Sequence, residues 1–146
     1  MPVLSGKLSP AGTILTLACL PPAVSDPATN PQYQQFAALL DTGASLTCIS
    51  PNVAKALGVK PLGMLPVSSA SHPNLPTNTY LIHIGIVFGD LIVWQSNIQV
   101  LEFQLAVGSP YEMLLGRDLI CHGALTVQSR RSLDFCDLNS WSNRDG

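Results

Sequence analysis

Apolar residues in this chain fall in short runs broken by proline, glycine, asparagine and serine, and few stretches hold a helical spacing. The pattern predicts strands over residues 12–20, 36–40, 46–49, 65–70, 79–87, 91–94, 98–103, 124–127 and 133–138. In the first of them Ile14, Leu15 and Leu17 are the expected core positions. Residues 21–35 carry further prolines with Asn, Asp and Ser and no periodicity, which predicts a long hairpin connection. Gln95-Ser96-Asn97 reads as a turn between two strands, and Gly108-Ser109-Pro110 as another.

Two segments break the strand pattern. Over 50–58, Ser50 suits a helix cap, Pro51 the first helical position and Gly58 a left-handed exit, with Val53, Ala56 and Leu57 as the buried face. A second short helix is expected over 117–122, ending at Gly123. The last residues, 139–146, are polar and read as a flexible tail, and 1–11 as an N-terminal segment outside the main domain of 12–138.

Composition narrows the class. With 146 residues the chain has room for one domain with a real core. Apolar residues make up 47% and charged residues 11%, with 12 prolines and 11 glycines, which fits a mainly-β globule and excludes a disordered chain. The net charge of −2, with Arg130-Arg131 as the sole basic pair, gives no patch for a phosphate backbone, so nucleic acid is not an expected partner. So apolar a chain also carries surplus sticky surface, which suggests a partner subunit. No run approaches the ~18 apolar residues of a membrane span, and the run over 13–20, with two threonines and one preceding lysine, reads as a strand and not a signal segment. A cytoplasmic location is the expectation. Cys19, Cys48, Cys121 and Cys136 each lie in apolar runs and are expected to act as small hydrophobes; His72, His83 and His122 show no ligand spacing with them, so no metal is expected.

The most informative stretch is Ala38-Leu39-Leu40-Asp41-Thr42-Gly43-Ala44-Ser45-Leu46-Thr47-Cys48-Ile49, in which a carboxylate is delivered into a turn between two apolar runs. A carboxylate between core-bound segments is costly unless something requires it. One reading is an ordinary turn, with Asp41 accepting backbone N–H bonds and Gly43 at positive φ. The other comes from resemblance. The Asp41-Thr42-Gly43 triplet after two apolar residues, followed downstream by Leu114-Leu115-Gly116, resembles the retropepsin-like (retroviral-type) aspartic protease family.

That resemblance implies a mainly-β, retropepsin-like closed barrel or sandwich with two short helices, dimeric, with the active site at the two-fold interface. It implies an aspartic endopeptidase acting on peptide or protein substrates without cofactor. Asp41 would be catalytic, supported by Thr42, Gly43, Ala44, Leu115 and Gly116. Gly43, Ser45, Ala70, Ser71 and His72 would touch substrate, the last three from a flap-like hairpin that here has no glycine at its tip. The chain offers one such triplet, so two chains would each lend an Asp41. Family members pair the arginine at position 117 with an aspartate; Ser45 stands there instead, leaving Arg117 to Asp118, a C-terminal carboxylate or solvent, while Thr47 would brace the second helix through Asp118. The strand over 133–138 would interleave with its copy in the partner. The alternative reading keeps the same dimeric fold as a peptide-binding or assembly module with little turnover.

Overall fold

The computed structural model describes residues 3–7, 12–30, 32–67, 75–128 and 132–137. Ten strands occur among them: β1 (Val3–Lys7), β2 (Ile14–Leu20), β3 (Gln34–Leu40), β4 (Cys48–Ile49), β5 (Gly63–Val67), β6 (Leu75–Phe88), β7 (Leu91–Glu102), β8 (Met113–Leu115), β9 (Gly123–Gln128) and β10 (Ser132–Asp137). The helices are α1 (Pro51–Leu57) and α2 (Arg117–Ile120). The large sheet runs β2-β3-β8-β4-β7-β6-β5, and a further β2–β6 pairing closes the first six of these into a barrel with β5 outside it. Two of its pairings, β3–β8 and β4–β7, are parallel.

Side chains that alternate across the strands fill the barrel: Leu17, Ile82, Ile84, Ile86, Val100, Met113 and Leu115 are buried, with Val53 and Leu57 of α1 and Leu119 of α2 packed on them. Each such side chain contributes about 1.5–3 kcal/mol by leaving water. The two-residue period of β2 puts Leu15 and Leu17 inside and turns Ile14 out with Thr16, so Ile14 is 45% exposed and not the core residue expected. In α1 the predicted signals all act: Ser50 Oγ accepts from Val53 N, Pro51 opens the helix and Gly58 takes φ 68°. Its buried face is Val53, Ala54 and Leu57; Ala56 points to solvent, because the face in contact follows the one-and-four spacing from Val53.

The polar triplet at 95–97 is not a turn. β7 runs unbroken through it, and the ladder to β6 slips there, from Ile82↔Ile98 to Ile84↔Gln95. Asn97 absorbs the extra residue at φ 56° and donates its N–H to His83 Nδ1 at 3.0 Å. The accepting Nδ1 leaves the ring hydrogen on Nε2, which donates to Val24 O at 2.7 Å. His83, 2% exposed, thereby ties the long 21–33 connection to the outside of the barrel. Asp26 caps a 3-10 turn (Pro27–Thr29) within that connection.

A separate three-stranded sheet has the order β1-β10-β9. The sequence pattern left 3–7 without a strand, yet β1 pairs along its length with β10. With β1 on one side and β9 on the other, β10 has both ladder edges occupied within its own chain. It is therefore not free to interleave as the family resemblance implied.

Candidate active site

Asp41 stands one residue beyond the end of β3, where β3 and β8 run parallel with Leu40 beside Leu115. Its N–H donates to Leu115 O at 3.0 Å, which extends the ladder into the turn. The turn then closes on itself: Ala44 N donates to Asp41 O at 3.2 Å, and Gly43 N donates to the Asp41 carboxylate at 2.9 Å. On the far side Arg117 N donates to Ala44 O at 2.8 Å. The loop is thus strapped to the segment 115–117 at both ends, and Asp41, its first residue, is half-buried.

Two glycines allow this. Gly43 is not at positive φ, contrary to the simple turn reading; a Cβ there would lie 3.2 Å from Asp41 Oδ1, so its service is to leave the carboxylate room. Gly116 is the tighter of the two. A Cβ at that position would sit 2.6 Å from Leu46 C, 2.7 Å from Leu46 O and 2.9 Å from Thr47 N, all backbone atoms that cannot swing aside. Gly116 therefore lets the segment 115–117 pack directly against the backbone that follows Asp41.

Behind the loop lies a second brace. Thr47 Oγ1 donates to Asp118 Oδ1 at 2.7 Å and accepts from Gly116 N at 3.1 Å, while Thr47 N donates to Asp118 Oδ2 at 3.0 Å. Leu119 N adds a third donor to the same carboxylate at 2.9 Å. Asp118 in the first turn of α2 also suits the exposed N–H groups there. The expected Thr47–Asp118 link is present. Asp118 is spoken for, and Arg117 is exposed. At its other end β8 is pinned by Glu112: Ser50 donates to it through N at 3.0 Å and through Oγ at 2.5 Å, and Glu112 N donates to Ala37 O at 2.9 Å.

Cys48 is the neighbour that the sequence reading treated only as filler. Its half-buried thiol donates to Leu46 O at 3.4 Å, and it is pushed up to about 11 by burial first, then by the negative charges of Asp118 and Asp41. At neutral pH it is a protonated thiol and a poor nucleophile. Cys19, beside Met113 Sδ at 3.7 Å, is pushed up to about 12 by burial alone. Cys121 is exposed, not an interior hydrophobe as expected, because it follows the last turn of α2 on its open side.

Of the remaining expected site residues, Thr42, Gly43 and Ser45 are exposed, Ala44 is half-buried, and Leu115 and Gly116 are buried. Ala70, Ser71 and His72 lie outside the described residues. The stem of their hairpin is described. β5 pairs with β6 through Gly63↔Thr79 to Val67↔Leu75, and among the described residues its outer edge is unpaired. Beside it, a cavity of about 600 Å³ is lined by Met64, Leu75, Asn78, Glu102 and Phe103 among others. Glu102 accepts from Tyr80 Oη at 2.8 Å and from Asn78 Nδ2 at 3.4 Å; burial, and then Glu102, push Tyr80 up to about 12. Sequence reasoning missed this trio, though strand alternation does place 78, 80 and 102 on one face. Among the described residues no group of three or more His, Cys, Asp or Glu could hold a metal, and no helix is long and apolar enough to cross a membrane.

Comparison with known proteins bears on this geometry. A family model described as aspartyl protease matches residues 28–119, well over half the chain and inclusive of the Asp41 loop, both braces and α1. A retropepsin-like aspartic protease from Rickettsia conorii superposes with a TM-score of 0.58 at 14% identity, over 91% of this chain and 89% of that one. The retroviral protease-like domain of Ddi1 from Leishmania major gives a TM-score of 0.41 at 13% identity, over 80% of this chain and 82% of that one. No curated protein matches the sequence. The Rickettsia likeness shows the fold and the family match shows the lineage: this chain belongs to the aspartyl protease family and is built on the retropepsin-like fold.

Proposed function

We propose that this protein is an aspartic endopeptidase that works as a homodimer, with Asp41 of each subunit contributing one carboxylate. The observation that carries the reading is the setting of Asp41: a half-buried carboxylate at the start of a loop strapped to Leu115 and Arg117 and packed on Gly116, in a chain of the aspartyl protease family. A single loop supplies a single carboxylate, while metal-free hydrolysis of a peptide needs both a base and an acid. Two carboxylates brought together by a two-fold axis share one proton, because like charges about 3 Å apart do not both ionise; the aspartic proteases are the general example of this pairing. The ionised member takes a proton from water as it attacks the peptide carbonyl. The protonated member donates to the carbonyl oxygen, and the leaving nitrogen is protonated as the intermediate collapses.

Since β10 is enclosed by β1 and β9, a sheet shared between subunits would join at the outer edge of β1 or β9. The described stem of β5 and β6 would border the bound peptide.

Cleavage of a peptide library by the wild type and by Asp41→Asn tests the assignment. The amide is nearly isosteric but neither shares the proton nor acts as base, so turnover is expected to vanish while the fold persists. Cleavage by the variant at the wild-type rate overturns the role of Asp41. Peptide binding by the wild type with no turnover would favour a peptide-binding module instead. Specific activity should also fall on dilution below the dimer dissociation constant; a fully active sedimenting monomer overturns the paired mechanism.

A further inference from the structure

At the other end of β3 from Asp41, the long 21–33 connection lies over the outer face of β6 and β7 and leaves a cavity of about 390 Å³. Tyr33, Trp94, Ile92, Pro27 and Asp90 line it, with the backbone turn 28–30. The two aromatic rings meet edge to face, with centroids 6.0 Å apart and planes at 68°, so they form a corner. The indole is held there. It sits across the ladder from Gly85, where a Cβ would come within 3.0 Å of Trp94 Cδ2 and 2.4 Å of Ile92 Cγ2, so the bare glycine is what lets the ring lie against the sheet. Pro27, buried, closes another wall.

The charge at this corner has one sign. Asp90 is exposed at its mouth, and the adjoining cavity within the same loop is lined by Asp26. Among the described residues neither cavity has a Lys, Arg or His in its lining. A fixed aromatic corner with the Asp90 carboxylate at its mouth and no basic residue lining it is a poor place for an anion or a neutral apolar ligand. It suits a flat cation, which stacks on an indole face and pairs with a carboxylate at once. The volume falls in the range of ligand pockets and admits a long side chain.

We propose that this corner binds the guanidinium of an arginine side chain presented by a partner or substrate protein, as a docking site separate from the Asp41 loop. Tyr33 immediately precedes β3, whose seven residues lead to Asp41, so the two sites lie roughly 26 Å apart along the strand. The site neither uses nor requires the proposed chemistry at Asp41. Its consequence would be to hold a protein away from the cleavage point, so that proteins bearing a suitably placed arginine are retained while short peptides are not.

The bland rival is that Trp94 only anchors the 21–33 loop. NMR titration of the full chain separates the two, because the indole Nε1–H of Trp94 is resolved from that of the other tryptophan in a Trp141→Phe background. The probes are acetyl-Gly-Arg-Gly-amide and its citrulline counterpart, which has the same shape without the charge. A saturable shift of the Trp94 signal with the arginine peptide, weakened about two- to fivefold by citrulline or by Asp90→Asn, is expected. An Asp41→Asn chain should bind the arginine peptide as the wild type does, which keeps this result independent of the catalytic assignment. Absence of a saturable shift, equal binding of citrulline, or unchanged affinity in Asp90→Asn overturns the proposal.

Discussion

Around Asp41 the backbone is tied on every side, by Leu115 and Arg117 to the loop, by Asp118 to Thr47 and by Glu112 to Ser50. The β5–β6 hairpin is paired on one side only, and Leu62, Met64 and Leu75 on or beside it are 63%, 60% and 54% exposed. On the function proposed above, the difference lies in what each part would have to do. A carboxylate that is to meet its twin needs a fixed position, so its loop is over-determined by hydrogen bonds and by backbone packed on backbone. An arm that is to admit and release a chain gains from few constraints, and a free strand edge with apolar side chains fits an extended partner. Proline at position 66, within β5, suits such an edge because its missing N–H costs nothing there.

The sharpest way to break the comparison is one methyl group in each region. Gly116→Ala drives a Cβ into the Leu46–Thr47 backbone and should cost about 3 kcal/mol or more, with loss of activity. Gly63→Ala in β5 meets nothing within 4 Å and should change stability by no more than about 0.5 kcal/mol. Urea denaturation of both variants reads this directly; equal costs would mean that the loop is not the rigid element.

Thr47→Val is the next largest effect expected. It removes the hydroxyl that bonds both Asp118 and Gly116, leaving a buried N–H and a carboxylate oxygen without that partner, for about 2–3 kcal/mol. Thr79→Val on the arm side loses only a 3.3 Å bond to Gly63 O and should cost about 1 kcal/mol. If the two variants melt together, the Thr47 brace contributes no more than an ordinary strand contact.

A smaller effect depends on pH. Cys48 is held protonated in the fold, near 11, against 9.0 for an unhindered thiol. Above pH 9 the unfolded chain gives up this proton and the folded chain keeps it, so the unfolded state binds fewer protons and stability falls as pH rises from 9 towards 11. Below pH 9 the contribution is fully present. Thermal melts of Cys48→Ala should show a flatter alkaline limb than the wild type; an unchanged limb would place the loss with Cys19 or Tyr80, both pushed up to about 12.

The smallest expected stability change belongs to the arm surface. Met64→Gln and Leu75→Gln together should leave the melting curve within about 0.5 kcal/mol of the wild type, since both side chains are mostly in water already. Peptide turnover should nevertheless fall, through KM more than kcat, if the arm covers substrate. Unchanged kinetics would remove the arm from the proposed function.

Much of this was legible in the chain before any fold was known, where the physics is local. The α1 segment carries its own start and stop in Ser50, Pro51 and Gly58, and those residues act through bonds within a few positions of one another. Many of the strand segments follow from two-residue alternation, and the pairing of the Asp41 loop with Leu114-Leu115-Gly116 is what the family resemblance of those two motifs implied. The errors have a common source. Gln95-Ser96-Asn97 has turn chemistry, but pairing to β6 and the Asn97 bond to His83 outweigh it and keep β7 continuous. Residues 3–7 have no strand signal of their own and become β1 only because β10 offers an edge.

By itself, then, the sequence determined the cap and exit of α1, most of the strand segments and the carboxylate delivered between two core strands. Tertiary structure alone decided that β2 closes on β6, that Gly116 serves the backbone of Leu46, that Cys48 lies within reach of two carboxylates, and that Tyr33, Asp90 and Trp94 meet. The physical reason is range. Propensity and capping act over a few residues, whereas these contacts join positions tens of residues apart that carry no mark of one another until the barrel closes.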